Sequence, residues 1–456
     1  METHVLSAAQ VNHLLAREEG HFLDHKSIGI SAAKLTRSLS AFANADGGEL
    51  LVGIAELSRG KFAWQGFTRI EDANGHIQHL EETFPYGGDF EYEFLSAGDG
   101  NGFVLRITVL KTRDLRQASN GILYVRRGPQ NLPVKDDAKI RDLARAKGLI
   151  SHEDETLGIP IEEITNSLAI LGFVLEIIPE SEPAEWLRKQ RMIVNDLPTV
   201  AGALLFSDEP QIGLPKADVK IYRYKTAAIE GSRETLVFDP VTVEGNLYNQ
   251  ISEAVATTVR LTEQIQKMTD GGLINIAYPR EALHEVITNA LLHRDYSHND
   301  DVHVRIFDNR IEVESPGRLP AHITPANILS ERFARNQTIV RIINKFPDAP
   351  NKDVGEGLNT AFAAMEKLRL RRPEIIEKDN SVLVLIRHES LASPEQQIVE
   401  YLRSNDTINN AKAREITGVQ TDHQIRRAFK KLARAKEIEQ VPGTERATTK
   451  YRLPDT

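Results

Sequence analysis

The chain has 456 residues, 41% of them hydrophobic, contains no cysteine, and carries a formal net charge of −9 at pH 7. This length exceeds the size of one hydrophobic core and predicts about two to four domains. The lack of cysteine excludes a disulfide framework and a thiolate zinc site, and it fits a reducing compartment. The negative charge excludes a polycation, so any nucleic-acid surface must be local.

The N-terminal residues lack the basic-then-apolar pattern of a signal peptide. No apolar run in the sequence reaches transmembrane length. We therefore expect a soluble, cytoplasmic protein that does not contact membranes.

The first segment of the chain, up to about Lys147, combines predicted helices and strands. A helix is predicted near residues 33–44, followed by a turn at Gly47 and Gly48 and an apolar strand at residues 50–54. Further strands are predicted at residues 90–95, 103–109 and 122–126.

The middle of the chain, residues 151–279, mixes predicted helices with a strand pair around residues 202–206 and 219–224. The run Ala201-Gly202-Ala203 indicates tight packing. No histidine spacing in the sequence is typical of a metal site.

The most informative feature is the recurrence of Glu281, Glu285, Asn289 and His293 at every fourth residue. On a helix this spacing places all four side chains on one face, and the apolar residues between them fall on the other side. Two glutamates at i and i+4 repel each other and destabilise a helix slightly. A carboxylate one turn before an amide is, however, an arrangement that ATP hydrolysis could use.

A third unit begins with this helix, at residues 278–279, where a proline favours a helix start. A hairpin is predicted at residues 302–307 and 311–314, with its turn at Asp308 and Asn309. An apolar strand at residues 382–386 closes the unit, and a helical tail follows.

Residues 289–297, 307–320 and 355–358 of this unit resemble the GHKL-type ATPases, which include gyrase and histidine kinases. They are more similar to a divergent, RecG-like branch that accompanies Schlafen-type domains. The resemblance implies that Glu285 activates water and that Asn289 holds Mg²⁺ on the phosphates of ATP. It also implies that Gly355 and Gly357 let the backbone approach the phosphates before a helix N-terminus.

The adenine-reading element of these ATPases has an aspartate followed by glycines at alternate positions. The corresponding residues here include Glu314, Pro316 and Gly317. The resemblance thus implies an adenine site with a longer carboxylate and a proline, in which ATP binds weakly or in an altered pose. A folded domain whose nucleotide chemistry has decayed is the alternative.

Residues 19–26, 41–56 and 124–129 resemble the Schlafen-type AlbA-like domain, which is associated with nucleic-acid binding. In its nuclease-active members three carboxylates bind a divalent metal and cleave RNA. The matching residues here are Glu19, Asp24 and Glu56, and clustered carboxylates can hold Mg²⁺ or Mn²⁺. Alternatively, the first two acids are a solvated face beside a helix.

Basic residues supply candidate phosphate contacts in two places. In the first segment these are Lys26, Arg126 and Arg127. The tail resembles a winged helix, with helices near residues 398–402, 411–416 and 424–436, a wing turn at 442–444 and a return strand at 448–453. The basic residues of its third helix are Arg426, Arg427, Lys430 and Lys431. Dimerisation or partner docking is the alternative use of such a tail.

The sequence therefore predicts an α+β, multi-domain protein. Its predicted parts are a Schlafen AlbA-like domain (1–147), a connecting α/β region (148–277), a Bergerat-type (GHKL) α/β sandwich (278–390) and a winged helix (391–456). The expected function is DNA or RNA binding gated by binding or hydrolysis of ATP with Mg²⁺ or Mn²⁺. A homo-oligomer is expected, with a role in transcription regulation or anti-phage defence. Two alternatives are a metal-dependent endonuclease acting on RNA, tRNA or DNA, and a non-catalytic winged-helix transcription regulator.

Overall fold

The computed structural model describes residues 3–58, 60–98, 100–269, 272–275, 278–350, 357–368, 370–387, 394–417, 421–444 and 449–454. The chain forms two compact units. The first comprises Met1–Ala361 and Glu374–Leu385, and the second comprises Phe362–Pro373 and Ile386–Thr456. Helices and strands are mixed in both, which confirms the predicted α+β class.

The N-terminal part of the first unit is a sheet covered by helices. Its elements are β1 Thr3–Val5, α1 Ala8–Ala16, β2 Leu23–Lys26, α2 Ala32–Ala43, β3 Gly48–Val52, β4 Ile54–Ser58, β5 Lys61–Trp64, α3 Asn74–Thr83, β6 Phe90–Ser96, β7 Phe103–Val109, β8 Leu123–Arg127, β9 Gln130–Val134 and α4 Asp137–Ala146. Five strands are ordered β1-β6-β7-β3-β2. The predicted helix and the strands predicted at residues 90–95, 103–109 and 122–126 are confirmed with small shifts of their ends, whereas the strand predicted at residues 50–54 is interrupted at Gly53, between β3 and β4.

The core of this part lies between α2 and the sheet. Leu35, Leu39 and Phe42 follow each other at helical spacing, are fully buried, and pack with Leu50 and Leu105 of the sheet. Burial of apolar area stabilises such a layer by about 25 cal/mol per Å². α2 therefore holds the turn at its C-terminal end in a fixed place beside the sheet.

The predicted turn between α2 and β3 is confirmed. Gly47 has a φ of +76°, and a Cβ there would lie 2.6 Å from the carbonyl oxygen of Val109. Only glycine combines that backbone conformation with so close an approach. This turn fixes the position of Asp46, the residue immediately before it.

The rest of the first unit is built around a second sheet. Its elements are α5 Glu162–Thr165, α6 Leu168–Ile177, α7 Pro183–Lys189, β10 Ile193–Val194, β11 Leu197–Pro198, α8 Val200–Phe206, β12 Val219–Arg223, β13 Val241–Val243, α9 Leu247–Thr262, β14 Gln266–Thr269, β15 Gly272–Asn275, α10 Arg280–Leu292, β16 Val302–Ile306, β17 Arg310–Pro316, α11 Gln337–Ile343, α12 Gly357–Lys367, β18 Glu374–Glu377 and β19 Ser381–Arg387. The last residues of α12 and β19 belong to the second unit.

This second sheet is six-stranded and ordered β13-β12-β16-β17-β19-β18. The predicted hairpin is confirmed as β16 and β17, with His303 opposite Glu314 and Ile306 opposite Ile311. β12 runs parallel to β16, so strands from before residue 278 extend the sheet of the predicted third unit. α9 and α10 pack beside each other and contact this sheet.

The predicted strand at residues 202–206 is wrong, because these residues form α8. The Oγ1 of Thr199 accepts a hydrogen bond from the backbone N–H of Gly202 at 3.1 Å and caps the helix. A short, wholly apolar run does not distinguish a buried strand from a buried helix, and here the cap and the surrounding core decide for helix.

The second unit contains the tail. Its elements are α13 Pro394–Ser404, β20 Ile408–Asn409, α14 Asn410–Thr417, α15 Asp422–Arg434, β21 Glu439–Gln440 and β22 Lys450–Arg452. The strands are ordered β20-β22-β21, and the ring of Tyr451 stacks on Phe429 of α15 at 4.3 Å between centroids. Residue 448 of the predicted return strand lies outside the described residues, and the winged-helix interpretation stays a prediction.

Among the described residues, no helix combines the length and the apolar character needed to cross a membrane.

Candidate functional site

The helix α10 forms one wall of a cavity of about 260 Å³. Pro279 stands directly before the helix, as predicted, and Leu283, Ile287 and Leu291 bury its opposite face. The helix therefore turns Glu285 and Asn289 toward the cavity, which both residues line.

The predicted pair of Glu285 and Asn289 is brought together. The Nδ2 of Asn289 donates a hydrogen bond to the Oε1 of Glu285 at 2.7 Å. Burial raises the pKa of Glu285, and this hydrogen bond only partly opposes the rise. Since the amide nitrogen of Asn289 is engaged with Glu285, its Oδ1 is the atom left to bind a cation. The pair thus fits Mg²⁺ and a water-activating carboxylate.

The opposite walls of the cavity are largely apolar. They include Val313 of β17, Ile375 of β18, and Val382 and Val384 of β19. An apolar slot next to a few polar groups is the usual composition of a site for a small organic ligand. The arrangement therefore fits a flat base in the slot and phosphates near the polar pair.

The structure places the carboxylate of Glu314 outside this cavity. Its oxygens accept hydrogen bonds from Arg305 at 2.6 Å, Lys378 at 2.8 Å and Ser381 at 2.7 Å. Burial alone would raise the pKa of Glu314, but these donors lower it to about 2. Because side chains alternate along a strand, the neighbouring Ser315 faces the cavity instead.

The loop after β17 completes one side of the cavity. Gly317 has a φ of +99°, and a Cβ there would lie 2.5 Å from the Cβ of Asp295. Of the predicted phosphate-loop glycines, Gly355 lies outside the described residues, and Gly357 begins α12. The next residue of that helix, Leu358, lines the cavity.

Two cationic residues of the cavity wall, Arg318 and Arg332, are absent from the predicted site. The Nη2 of Arg318 donates a hydrogen bond to the Oδ1 of Asp46 at 2.7 Å, and thus reaches the N-terminal domain. The sequence contained one signal that Arg318 belongs to the site, since this residue directly follows Gly317 in the segment that resembles the ATPase family.

The N-terminal acids Glu19 and Asp24 lie close together. Burial raises the pKa of Glu19; a backbone hydrogen bond from His25 opposes the rise, and the charge of Asp24 adds to it. The carboxylate of Asp24 lies 2.6 Å from the Nζ of Lys26 and accepts a hydrogen bond from Ser38 at 3.1 Å. Its charge is therefore balanced by the protein itself.

Glu56, the third predicted acid, lies on β4, where it accepts a hydrogen bond from the backbone N–H of Gly60 at 3.3 Å. Among the described residues, no hydrogen bond links Glu56 to Glu19 or Asp24, and Glu56 is absent from the groups that shift the pKa of Glu19. In the same part of the chain, no group of three or more acidic or histidine side chains is arranged to hold a metal ion. Among the described residues, the three predicted acids are not grouped as a carboxylate cage, and metal binding by them stays a prediction.

The predicted phosphate contacts differ in exposure. Arg126 is 1% exposed, and its guanidinium donates hydrogen bonds to the carbonyl oxygens of Gly20 at 2.8 Å and Leu23 at 3.0 Å. Arg127, the next residue, is exposed. Arg126 thus holds the segment that carries the acids, whereas Arg127 offers its charge to solvent.

The tail presents basic residues on the outer face of α15. Arg427 and Lys430 are exposed. Arg426 pairs with Asp422 at 2.7 Å, and Lys431 pairs with Glu395 at 3.4 Å. Exposed ion pairs of this kind are weak, so all four side chains can still reach a phosphate.

The comparisons with known families agree with this anatomy. Residues 19–135 match the family described as "Schlafen, AlbA_2", and residues 299–386 match the family described as "Putative ATP-dependent DNA helicase recG C-terminal". The protein therefore combines a Schlafen AlbA-like domain with an ATPase-type domain, as the resemblances predicted. Together these domains indicate a nucleic-acid-related ATPase.

One solved structure that the chain resembles is that of the DIP2311 protein from Corynebacterium diphtheriae. The two are 17% identical, the alignment covers 98% of this chain and 99% of that one, and the TM-score is 0.41. No curated protein matches the chain.

Proposed function

We propose that this protein binds DNA or RNA and that ATP with Mg²⁺, held in the cavity beside α10, controls the binding. The observation that carries the proposal is the pair of Glu285 and Asn289, joined at 2.7 Å on the wall of a largely apolar cavity. The match of residues 299–386 to an ATPase-type family also supports ATP as the ligand.

The chemistry of the cavity follows from its residues. The Oδ1 of Asn289 would hold the cation, and the carboxylate of Glu285 would take a proton from water. The raised pKa of Glu285 makes it a better proton acceptor than an exposed carboxylate. When bound, Mg²⁺ supplies neutralisation of the phosphate charge. The apolar residues Val313 and Val384 would exclude water from the adenine ring of the nucleotide.

Nucleic acid is proposed to bind through exposed basic residues of the AlbA-like domain and of α15. Arg127, Arg427 and Lys430 are among the exposed candidates. Binding is favoured over cleavage because Asp24 is already paired with Lys26 and lies near the buried Arg126. A carboxylate neutralised in this way is a poor ligand for a metal ion.

The test incubates purified protein with labelled single-stranded and double-stranded DNA and RNA, with Mg²⁺ or Mn²⁺, with and without ATP. Phosphate release is measured in the same samples. We expect shifted but intact nucleic acid, a shift that ATP alters, and loss of phosphate release in Glu285→Gln. Glu281→Gln is the matched control, since Glu281 is exposed one turn earlier on the same helix.

Two results would overturn the proposal. The first is an absence of phosphate release together with a nucleic-acid shift that ATP does not change. The second is metal-dependent cleavage that Glu19→Gln abolishes while nucleic-acid binding persists, which would make the protein an endonuclease.

A further inference from the structure

We propose that Arg318 recognises the anionic part of the cavity ligand and transmits its binding to the AlbA-like domain through Asp46. This inference rests on the proposed function, in which the cavity takes a nucleotide. It adds a specific residue and a route that link the two domains.

Arg318 already faces two carboxylates. Its Nη2 donates to the Oδ1 of Asp46 at 2.7 Å, and its Nε lies 3.1 Å from the Oε1 of Glu377. The carboxylates are largely buried, at 13% and 12% exposure, whereas the side chain of Arg318 is 35% exposed and lines the cavity. A guanidinium has five N–H donors, so it can bind a phosphate while releasing one carboxylate.

The loop that carries Arg318 is fastened to the AlbA-like domain at a second point. The Nζ of Lys111 donates hydrogen bonds to the carbonyl oxygens of Leu319 at 3.2 Å and Ile323 at 3.1 Å. Leu319 and Ile323 both line the cavity, and Lys111 is 7% exposed. A ligand that moves this wall therefore acts directly on residues of the AlbA-like domain.

A third contact joins the same wall to that domain. The guanidinium of Arg113 lies over the ring of Phe333, 5.3 Å from its centroid, and Phe333 also lines the cavity. Residues 111–113 thus meet the cavity wall by both hydrogen bonding and a cation–π contact. These contacts join the cavity wall directly to the AlbA-like domain.

On the other side, Asp46 contacts the segment that carries the acids. Its Oδ2 lies 2.7 Å from the Nε2 of His21, two residues after Glu19. Burial alone would raise the pKa of Asp46, but the charge of Arg318 and the hydrogen bond of His21 hold it below its ordinary value. If a phosphate group binds Arg318 in place of Asp46, Asp46 loses its main cationic partner. The contact between Asp46 and His21 must then change.

This arrangement predicts reciprocal coupling. An anion that draws Arg318 away from Asp46 changes the AlbA-like domain, and nucleic acid on that domain changes the affinity for the anion by the same factor. The ligand class is a phosphate-bearing nucleotide, since adenosine offers no anion to Arg318.

The test measures the dissociation constants of ATP, a non-hydrolysable ATP analogue and adenosine by titration calorimetry, with and without a saturating oligonucleotide. Wild type is compared with Asp46→Asn, Arg318→Lys and Arg318→Gln. Arg332→Gln is the matched control, because Arg332 is a second cation of the cavity wall. Thermal unfolding checks that each variant folds.

In the wild type, we expect the oligonucleotide to change ATP affinity by about 5-fold or more, within the usual range of allosteric coupling. Asp46→Asn should retain ATP binding, or tighten it, and lose the coupling. Arg318→Gln should weaken ATP binding but not adenosine binding, and Arg332→Gln should keep the coupling.

The failures are distinguishable. If the wild type does not bind ATP, the proposed function fails and the inference fails with it. If the wild type binds ATP and Asp46→Asn keeps the full coupling, the inference alone is overturned. If Arg318→Gln does not fold, Arg318→Lys replaces it in the test. Because lysine keeps the positive charge, Arg318→Lys should weaken the coupling without abolishing ATP binding.

Discussion

The carboxylate of Asp24 lies 3.4 Å from the guanidinium of Arg126, and the two side chains are 2% and 0% exposed. This buried pair joins β2 to β8, two strands that lie far apart in the sequence. It turns a residue expected to bind metal into one whose charge is internally balanced.

Removing the cation of this pair should destabilise the protein. We expect Arg126→Met to lower the free energy of unfolding by roughly 3 kcal/mol or more, because it leaves a buried carboxylate short of a partner. Arg127→Met, next to it and exposed, should change stability by less than about 0.5 kcal/mol. Urea denaturation measures both, and equal losses in the two variants would contradict the structural role of Arg126.

The pair on α10 should separate nucleotide binding from turnover. Glu285→Gln keeps an oxygen for the hydrogen bond from Asn289 but removes the base, so phosphate release should fall by about 10²–10⁴-fold while ATP still binds. Asn289→Ala should weaken ATP binding only when Mg²⁺ is present. Calorimetry with and without EDTA measures ATP binding by both variants. An unchanged rate of phosphate release in Glu285→Gln would refute the role of Glu285 as base.

Glu314 should contribute to stability in a pH-dependent way. Its pKa is lowered from 4.5 to about 2 in the folded protein, so its contribution is present above pH 4.5 and is lost as the pH falls through 2. At pH 7 we expect Glu314→Gln to cost on the order of 1–2 kcal/mol, since charge-assisted hydrogen bonds become neutral ones. The difference from wild type should shrink as the pH falls from 4.5 toward 2, which denaturation curves at several pH values would reveal.

The loop after β17 should not tolerate a side chain at Gly317. Gly317→Ala combines a φ of +99° with a Cβ only 2.5 Å from that of Asp295, and we expect a loss of about 1–3 kcal/mol. Gly75 on α3 is the control, because a Cβ there meets nothing within 4 Å. Gly75→Ala should be neutral or stabilising by up to about 1 kcal/mol. Similar effects of the two substitutions would argue against the described loop geometry.

The exposed cations of α15 should act as phosphate contacts. The double variant Arg427→Ala/Lys430→Ala should weaken binding of duplex DNA and reduce the slope of log K against log salt by about 0.9 for each phosphate that the protein no longer neutralises. Arg403→Ala, an exposed basic residue of α13 in the same unit, is the control. An unchanged slope in the double variant would favour the use of the tail for protein binding.

Much of the site could be predicted from local sequence. The four-residue spacing of Glu285 and Asn289 determines that they share a helix face, because helical geometry repeats every 3.6 residues. The paired glycines at 47 and 48 predicted a turn for a similarly local reason. Both predictions depend only on a few neighbouring residues, and the structure confirms the helix and the turn.

Other features were decided only by the tertiary structure. Alternation along β17 predicts that Glu314 and Ser315 face opposite sides, but which side borders the cavity depends on how the sheet packs against α10. The burial of Arg126 and the contact of Arg318 with Asp46, 272 residues apart, depend on packing between distant segments. The sequence alone determined which residue types share a local face. Only the folded chain decided their charged partners and their burial, because both depend on atoms that local periodicity does not bring together.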